Sequence, residues 1–257
     1  MAYPTYGGFS LQTDDYIVAD IEYRTAPTRE ISLESISRKP GKKFLSTEFG
    51  ERKIKMSGFI LGTSATVLQT NIDSFHENVT SKTTGVLAFD ATRSISATVS
   101  SVTITDPQYS QTIVPFEIEF IAADPFYEGA EQTAVTTVAS GNSSKAITTT
   151  ISGSVFAEPT FTFTSNGSSG YTTTSGIKVE YETTGEYVTW SGGNNTLAYG
   201  SSVQFDYKNL KILEDTTEIE AEGSYSRWEP GSTTITTTFS GTTQGGTLAL
   251  VYKPRYL

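Results

Sequence analysis

The sequence has no cysteine and a single histidine in 257 residues. The first absence excludes disulfides and thiolate metal centres. The second excludes a multi-histidine metal site and would route any Ser-His-Asp chemistry through His76. No apolar run approaches the roughly 18–20 residues of a membrane-spanning helix. Met1-Ala2-Tyr3-Pro4-Thr5 lacks the basic patch and apolar stretch of a signal peptide, so the expected product is soluble. There is no phosphate-cradling glycine loop; Gly192-Gly193-Asn194-Asn195 reads as a hairpin turn with no helix after it. Basic residues are scarce, 18 against 28 acidic for a net charge of −10, and the acidic surplus is shared by both halves. That balance argues against nucleic-acid binding, which needs a basic patch. The basic residues that do gather are Arg38, Lys39, Lys42 and Lys43 around Pro40-Gly41, followed by Arg52, Lys53 and Lys55.

What remains is 12% aromatic and rich in Thr, Ser and Gly, a mixture that suits strands and turns better than helices. The length accommodates two domains of about 100–150 residues, each with its own core. In the first half Asp15–Glu22, Ile31–Ile36 and Lys53–Ile60 read as strands, with a tight reversal at Lys39-Pro40-Gly41-Lys42. Leu68, Ile72, Phe75 and Val79 then switch to helical spacing, and Thr63 or Ser64 is the expected N-cap. Val86–Asp90, Ile95–Ile104 and Ile113–Ile121 follow as strands, the last two joined by a turn at Asp106-Pro107. In the last of them Phe116, Ile118 and Phe120 are expected inside, with Glu117 and Glu119 outside. It closes on Asp124-Pro125-Phe126-Tyr127, where proline cannot extend a ladder.

Residues 131–146 read as a weak-propensity linker between domains at 1–130 and 147–257. The second half shows no helical period. Its short strands at 8–12-residue spacing, such as Ile177–Glu182 and Ser202–Lys208, indicate a β-sandwich.

The order of the first half is a basic Pro-Gly turn, an Ile-x-Met-x-Gly strand over Ile54–Gly58, one helix, and an Asp-Pro-aromatic exit. Later come Glu229-Pro230-Gly231 before a strand and the terminus Tyr252-Lys253-Pro254-Arg255-Tyr256-Leu257. Together these features resemble the distal tail proteins of long, non-contractile-tailed bacteriophages. The resemblance implies a mostly β fold: a tail-tube-like N-terminal β-sandwich with one helix, then a galectin-like C-terminal sandwich. It implies a structural virion protein without enzymatic activity or cofactor, assembled as a homohexameric ring in the tail. Its partners would be the tail tube protein and a tip or hub protein, and DNA would pass through the channel without specific binding.

Within that frame Arg38, Lys39, Lys42 and Lys43 form the candidate partner interface. The alternatives are a tail tube subunit with an added sandwich, or a carbohydrate-binding module using Trp228 as an exposed sugar-stacking ring. Glu218, Glu220 and Glu222 alternate along one strand, which raises calcium ligation. Simple polar-out alternation around Ile219 and Ala221 accounts for them equally.

Overall fold

The computed structural model describes residues 4–36, 40–105, 112–166, 176–191, 197–240 and 245–257. The turn at Asp106-Pro107 and the turn at 192–195 lie outside them. The chain packs as two compact units, Met1–Glu128 and Gly129–Tyr256.

The first unit runs β1 (Thr5–Tyr6), β2 (Phe9–Ser10), β3 (Tyr16–Glu22), β4 (Arg29–Ser35), β5 (Lys42–Phe49), β6 (Arg52–Leu61), α1 (Ala65–Thr80), β7 (Gly85–Ala88), β8 (Ser94–Ile104), β9 (Ile113–Ala122) and β10 (Tyr127–Glu128). Antiparallel pairing orders the main sheet β2-β1-β7-β8-β9-β6-β3, while β4 and β5 form a separate two-stranded ribbon. Period-two alternation decides what enters the core. Ile54, Met56 and Ile60 of β6 are buried opposite Phe120, Ile118 and Val114 of β9. Glu117 and Glu119 point the other way, as expected. Gly58 is required by close approach rather than by a positive φ: a Cβ there would meet the Ile17 carbonyl oxygen at 2.1 Å.

Helix α1 covers this face. Ser64 is its cap, accepting the Val67 N–H at 3.3 Å. Leu68, Phe75 and Val79 are buried beneath it. The Tyr16 hydroxyl donates to the Asn71 carbonyl at 3.0 Å and fastens β3 to the helix. At the exit turn the Asp124 carboxylate accepts the Phe126 N–H at 3.4 Å. Phe126 and Tyr127 are thereby turned into the core, and the Arg52 guanidinium lies 4.2 Å over the Tyr127 ring.

The second unit contains β11 (Gln132–Val138), β12 (Ser144–Ile151), β13 (Thr160–Ser165), β14 (Gly176–Tyr181), β15 (Glu186–Ser191), β16 (Ser202–Asp206), β17 (Lys211–Glu214), β18 (Thr217–Ile219), β19 (Glu222–Gly223), β20 (Gly231–Ser240), β21 (Gly246–Tyr252) and β22 (Arg255–Tyr256). Two sheets, β11-β21-β13-β16-β17-β18 and β12-β20-β14-β15-β19, enclose a shared apolar core that includes Phe161, Phe163, Val179, Trp190, Phe205 and Leu250. Residues 131–146 are not a linker. They form β11, seven residues paired with β21, and the start of β12, so the division between units falls ahead of them. Their Thr and Ser content weakened the strand signal, but cross-strand partners supply what local propensity lacks.

Near the terminus Arg255 is buried and ion-paired with Glu158 at 2.8 Å. The Ser154 N–H donates to the Arg255 carbonyl at 2.9 Å. Gly153, at φ +124°, admits that approach, because a Cβ there would meet the Arg255 oxygen at 2.5 Å.

Candidate functional site

The β4–β5 ribbon stands apart from the main sheet, and every residue in it is exposed. Its register pairs Arg29 with Phe49, Ile31 with Thr47 and Leu33 with Phe44, and these side chains share one face. Glu30, Ser32 and Glu34 pair with Glu48, Ser46 and Lys43 on the other. The ribbon is therefore amphipathic, with Ile31 (59% exposed), Leu33 (48%) and Phe44 (58%) open to solvent. Its base is anchored: Phe49 packs edge-on against Phe126 at 5.3 Å, and the Gly50 N–H donates to the Thr28 carbonyl at 2.9 Å. A two-stranded ribbon is marginal in water without further burial, and an exposed apolar patch marks an interaction surface.

Of the candidate basic residues, Arg38 and Lys39 lie outside the described residues. Lys42 and Lys43 open β5 rather than sitting in a loop. As neighbours in a strand they project to opposite faces, Lys42 beside the apolar side chains and Lys43 across from Glu34. They do not form one basic patch. Sequence reading missed β5 because a register shift places Phe44 and Leu45 side by side and hides the alternation.

A second surface is the outer face of β3-β6-β9-β8. Cross-strand register sets Glu22, Lys55, Glu119 and Ser101 in one row and Asp20, Ser57, Glu117 and Thr103 in the next. They line a shallow concavity of about 280 Å³. Four carboxylates face one lysine there, so the surface is acidic. Lys53, on the same face, is already paired with Glu51 at 3.6 Å.

In the second unit Trp228 is not an exposed ring. It is fully buried, stacked on Tyr181 at 5.4 Å with planes 6° apart, and met edge-on by Tyr207 at 5.1 Å. Its flanking charges suggested a turn at the surface. However, the Trp228 N–H and carbonyl pair with Ala157 and draw the side chain into the core. Burial pushes the Tyr207 phenol far above its usual range. Tyr225 is pushed up to about 12, by burial first and then by the charges of Asp206 and Glu218.

Glu218 belongs to β18 in one sheet and Glu222 to β19 in the other, so the three glutamates do not share a face. Among the described residues no cluster of three His, Asp or Glu side chains is placed to hold a metal ion. His76 is an exposed helix residue. No helix is long and apolar enough to cross a membrane among the described residues.

Residues 8–122 match the family model of the phage tail protein RIFT-related domain. That span takes in β2 through β9, including the ribbon, the helix and the acidic face. No curated protein matches the chain. Its fold is similar to the crystal structure of phage SPP1 Dit (gp 19.1), described as a paradigm of the hub adsorption apparatus in phages infecting Gram-positive hosts. The TM-score is 0.74 at 16% identity, over 98% of both chains. It is also similar to a chain of the phage p2 baseplate in its activated conformation with Sr, with a TM-score of 0.50 at 9% identity, over 94% of this chain and 92% of that one. At such identities the likeness is one of fold.

Proposed function

We infer that this chain, with a phage tail domain over residues 8–122 and the fold of a distal tail hub protein along its length, is a structural tail-hub protein of a siphophage. Its finer role is a ring, most simply a homohexamer, that joins the tail tube to the tail tip or baseplate and leaves a central channel for DNA. The second unit is a galectin-like sandwich carried on that ring. The observation that carries this reading is the joint match: a tail family model on the first unit, and one known fold covering both units in the same order. A tail tube subunit with an added sandwich would account for both units separately, but the single hub-protein fold spanning both in the same order favours the distal tail reading.

The exposed amphipathic ribbon supports assembly, since it offers apolar surface that a soluble monomer does not need. Lys42 and Lys43 at its tip end are suited to acidic ground on a neighbouring subunit or on the tube protein, where charge sets register and association rate. A carbohydrate-binding role loses its platform, because Trp228 lies in the core. No catalytic residue or cofactor is proposed.

Electron microscopy of the purified full-length chain, with light scattering on the same sample, tests the proposal. Closed rings of defined copy number are expected. Indefinite tubes would favour the tail tube reading, and a strict monomer at high concentration, alone and with tube protein added, would overturn both.

A further inference from the structure

The outer face of β3, β6 and β9 changes character along its length. A solvated sheet face is expected to be polar at every second residue, and the first outward positions of β6 obey this with Lys53, Lys55 and Ser57. The next two are Phe59 and Leu61. On β9, which runs the other way, Ile113 and Pro115 come before Glu117 and Glu119. On β3 Ile17 comes before Asp20 and Glu22. Cross-strand register lines these changes up. Ile17, Phe59 and Pro115 form one row, and Leu61 faces Ile113 in the next, while Asp20, Ser57 and Glu117 form the row on the other side. All three strands therefore switch from acidic to apolar across the same line.

The apolar side of the line is open to solvent: Ile17 is 38% exposed, Phe59 41% and Ile113 44%. The core lies on the opposite face, where Ile54, Met56 and Ile60 fill it, so packing within the unit does not account for these side chains. On the acidic side Asp20, Glu22, Glu117 and Glu119 line the concavity of about 280 Å³ against Lys55 alone. An exposed apolar patch marks an interaction surface, and here its border is set by a surplus of carboxylates.

We propose that this line is a docking surface for a segment of a second, different protein that carries apolar side chains next to lysine or arginine. Successive outward rows of a sheet lie about 6.5 Å apart, the same distance that separates side chains two residues apart in an extended chain. An extended segment with an apolar residue at i and a basic residue at i+2 therefore seats the first on the Phe59 row and the second against Asp20 and Glu117. Charge favours a foreign chain over a second copy, because each copy carries a net charge of −10 and presents the same acidic rows. The competing occupant is the β4–β5 ribbon of a second copy, since Lys42 and Phe44 lie two residues apart on one face of it.

Fluorescence anisotropy on the full-length protein tests this, using a labelled peptide of repeated Leu-Thr-Lys-Thr and a control peptide with Glu in place of Lys. Extended, the first peptide presents Leu and Lys on one side. Saturable binding that weakens with added salt is expected for it, and none for the control. Phe59→Ser, and Asp20→Asn combined with Glu117→Gln, should each weaken binding at least about fivefold. All three side chains are exposed, so a thermal transition matching the parent's separates lost docking from lost folding. Binding unchanged by either variant would overturn the proposal, as would no binding by the parent or by a Lys42→Glu, Phe44→Glu variant. Binding that appears only in that ribbon variant would place a second copy's ribbon on the face and overturn the foreign occupant.

Discussion

The Phe75 ring on the helix lies 4.8 Å from the Phe116 ring on β9, with their planes 49° apart. Both are buried, and Tyr16 completes the group at 5.8 Å from Phe75. This contact is one of those that hold α1 against the sheet. Phe75→Ala or Phe116→Ala should each destabilise the first unit by about 3–5 kcal/mol. The double variant should fall short of the sum, because each ring is the other's partner. Trp190 and Trp228 both lie in the second unit, so their fluorescence follows that unit alone, while circular dichroism follows both. The expected signature is a lowered dichroism transition with an unchanged tryptophan transition.

The ribbon separates folding from assembly. Leu33→Glu and Phe44→Glu remove exposed apolar surface and should leave thermal unfolding within about 0.5 kcal/mol of the parent. Oligomer formation in light scattering should be lost. Lys42 projects beside the apolar side chains and Lys43 away from them, so Lys42→Glu should impair assembly more than Lys43→Glu. Equal effects would show that the lysines act through the general field of the tip rather than through one docking face.

Arg255 ties the end of the chain into the second unit through Glu158 at 2.8 Å and through contact with the Phe156 ring at 5.1 Å. Breaking a fully buried pair costs roughly 3–5 kcal/mol. Glu158 keeps part of its side chain in water, so Arg255→Ala should cost about 2–3 kcal/mol, below that range. Tryptophan-monitored urea unfolding measures it directly. Glu158→Gln should cost less, since the partly exposed partner is the easier one to replace.

The buried tyrosines give the second unit an alkaline limit. Their phenols ionise at higher pH in the folded chain than in the unfolded one, because burial disfavours the charged form. Their contribution is complete below about pH 10 and is lost as pH rises from there through the folded values, because the unfolded chain releases its protons first. For Tyr225 that window closes at about 12. Tryptophan-monitored melts should fall steadily above pH 10, and Tyr225→Phe should flatten part of that fall. A pH-independent melt up to 12 would contradict the assignment.

Local pattern was enough for much of this chain. The burial of Phe116, Ile118 and Phe120 follows from period-two alternation on β9, and the helix from the spacing of Leu68, Phe75 and Val79 with Ser64 ahead of it. These signals are carried by neighbours within one element, so no partner needs to be known. The basic tip was visible as a cluster, but its division between two faces was not, because facing is set only once β5 is recognised as a strand.

Other features depended on residues far apart in the chain. A shift in register between Val18 and Asp20 keeps Tyr16 and Val18 facing the core before it and Ile21 after it, which strict alternation along β3 does not predict. The rows that bring Glu22 opposite Lys55, and Lys55 opposite Glu119, exist only through pairing between β3, β6 and β9. Trp228 reads as a surface ring beside Arg227 and Glu229, yet Ala157, Tyr181 and Tyr207 converge to bury it. Composition and periodicity thus settle those elements whose alternation or helical spacing is unbroken, and their inward faces, because those depend on side-chain spacing within a segment. Register, edge exposure and the company each aromatic keeps were decided by tertiary pairing, because hydrogen-bonded neighbours in a sheet are chosen by the fold as a whole.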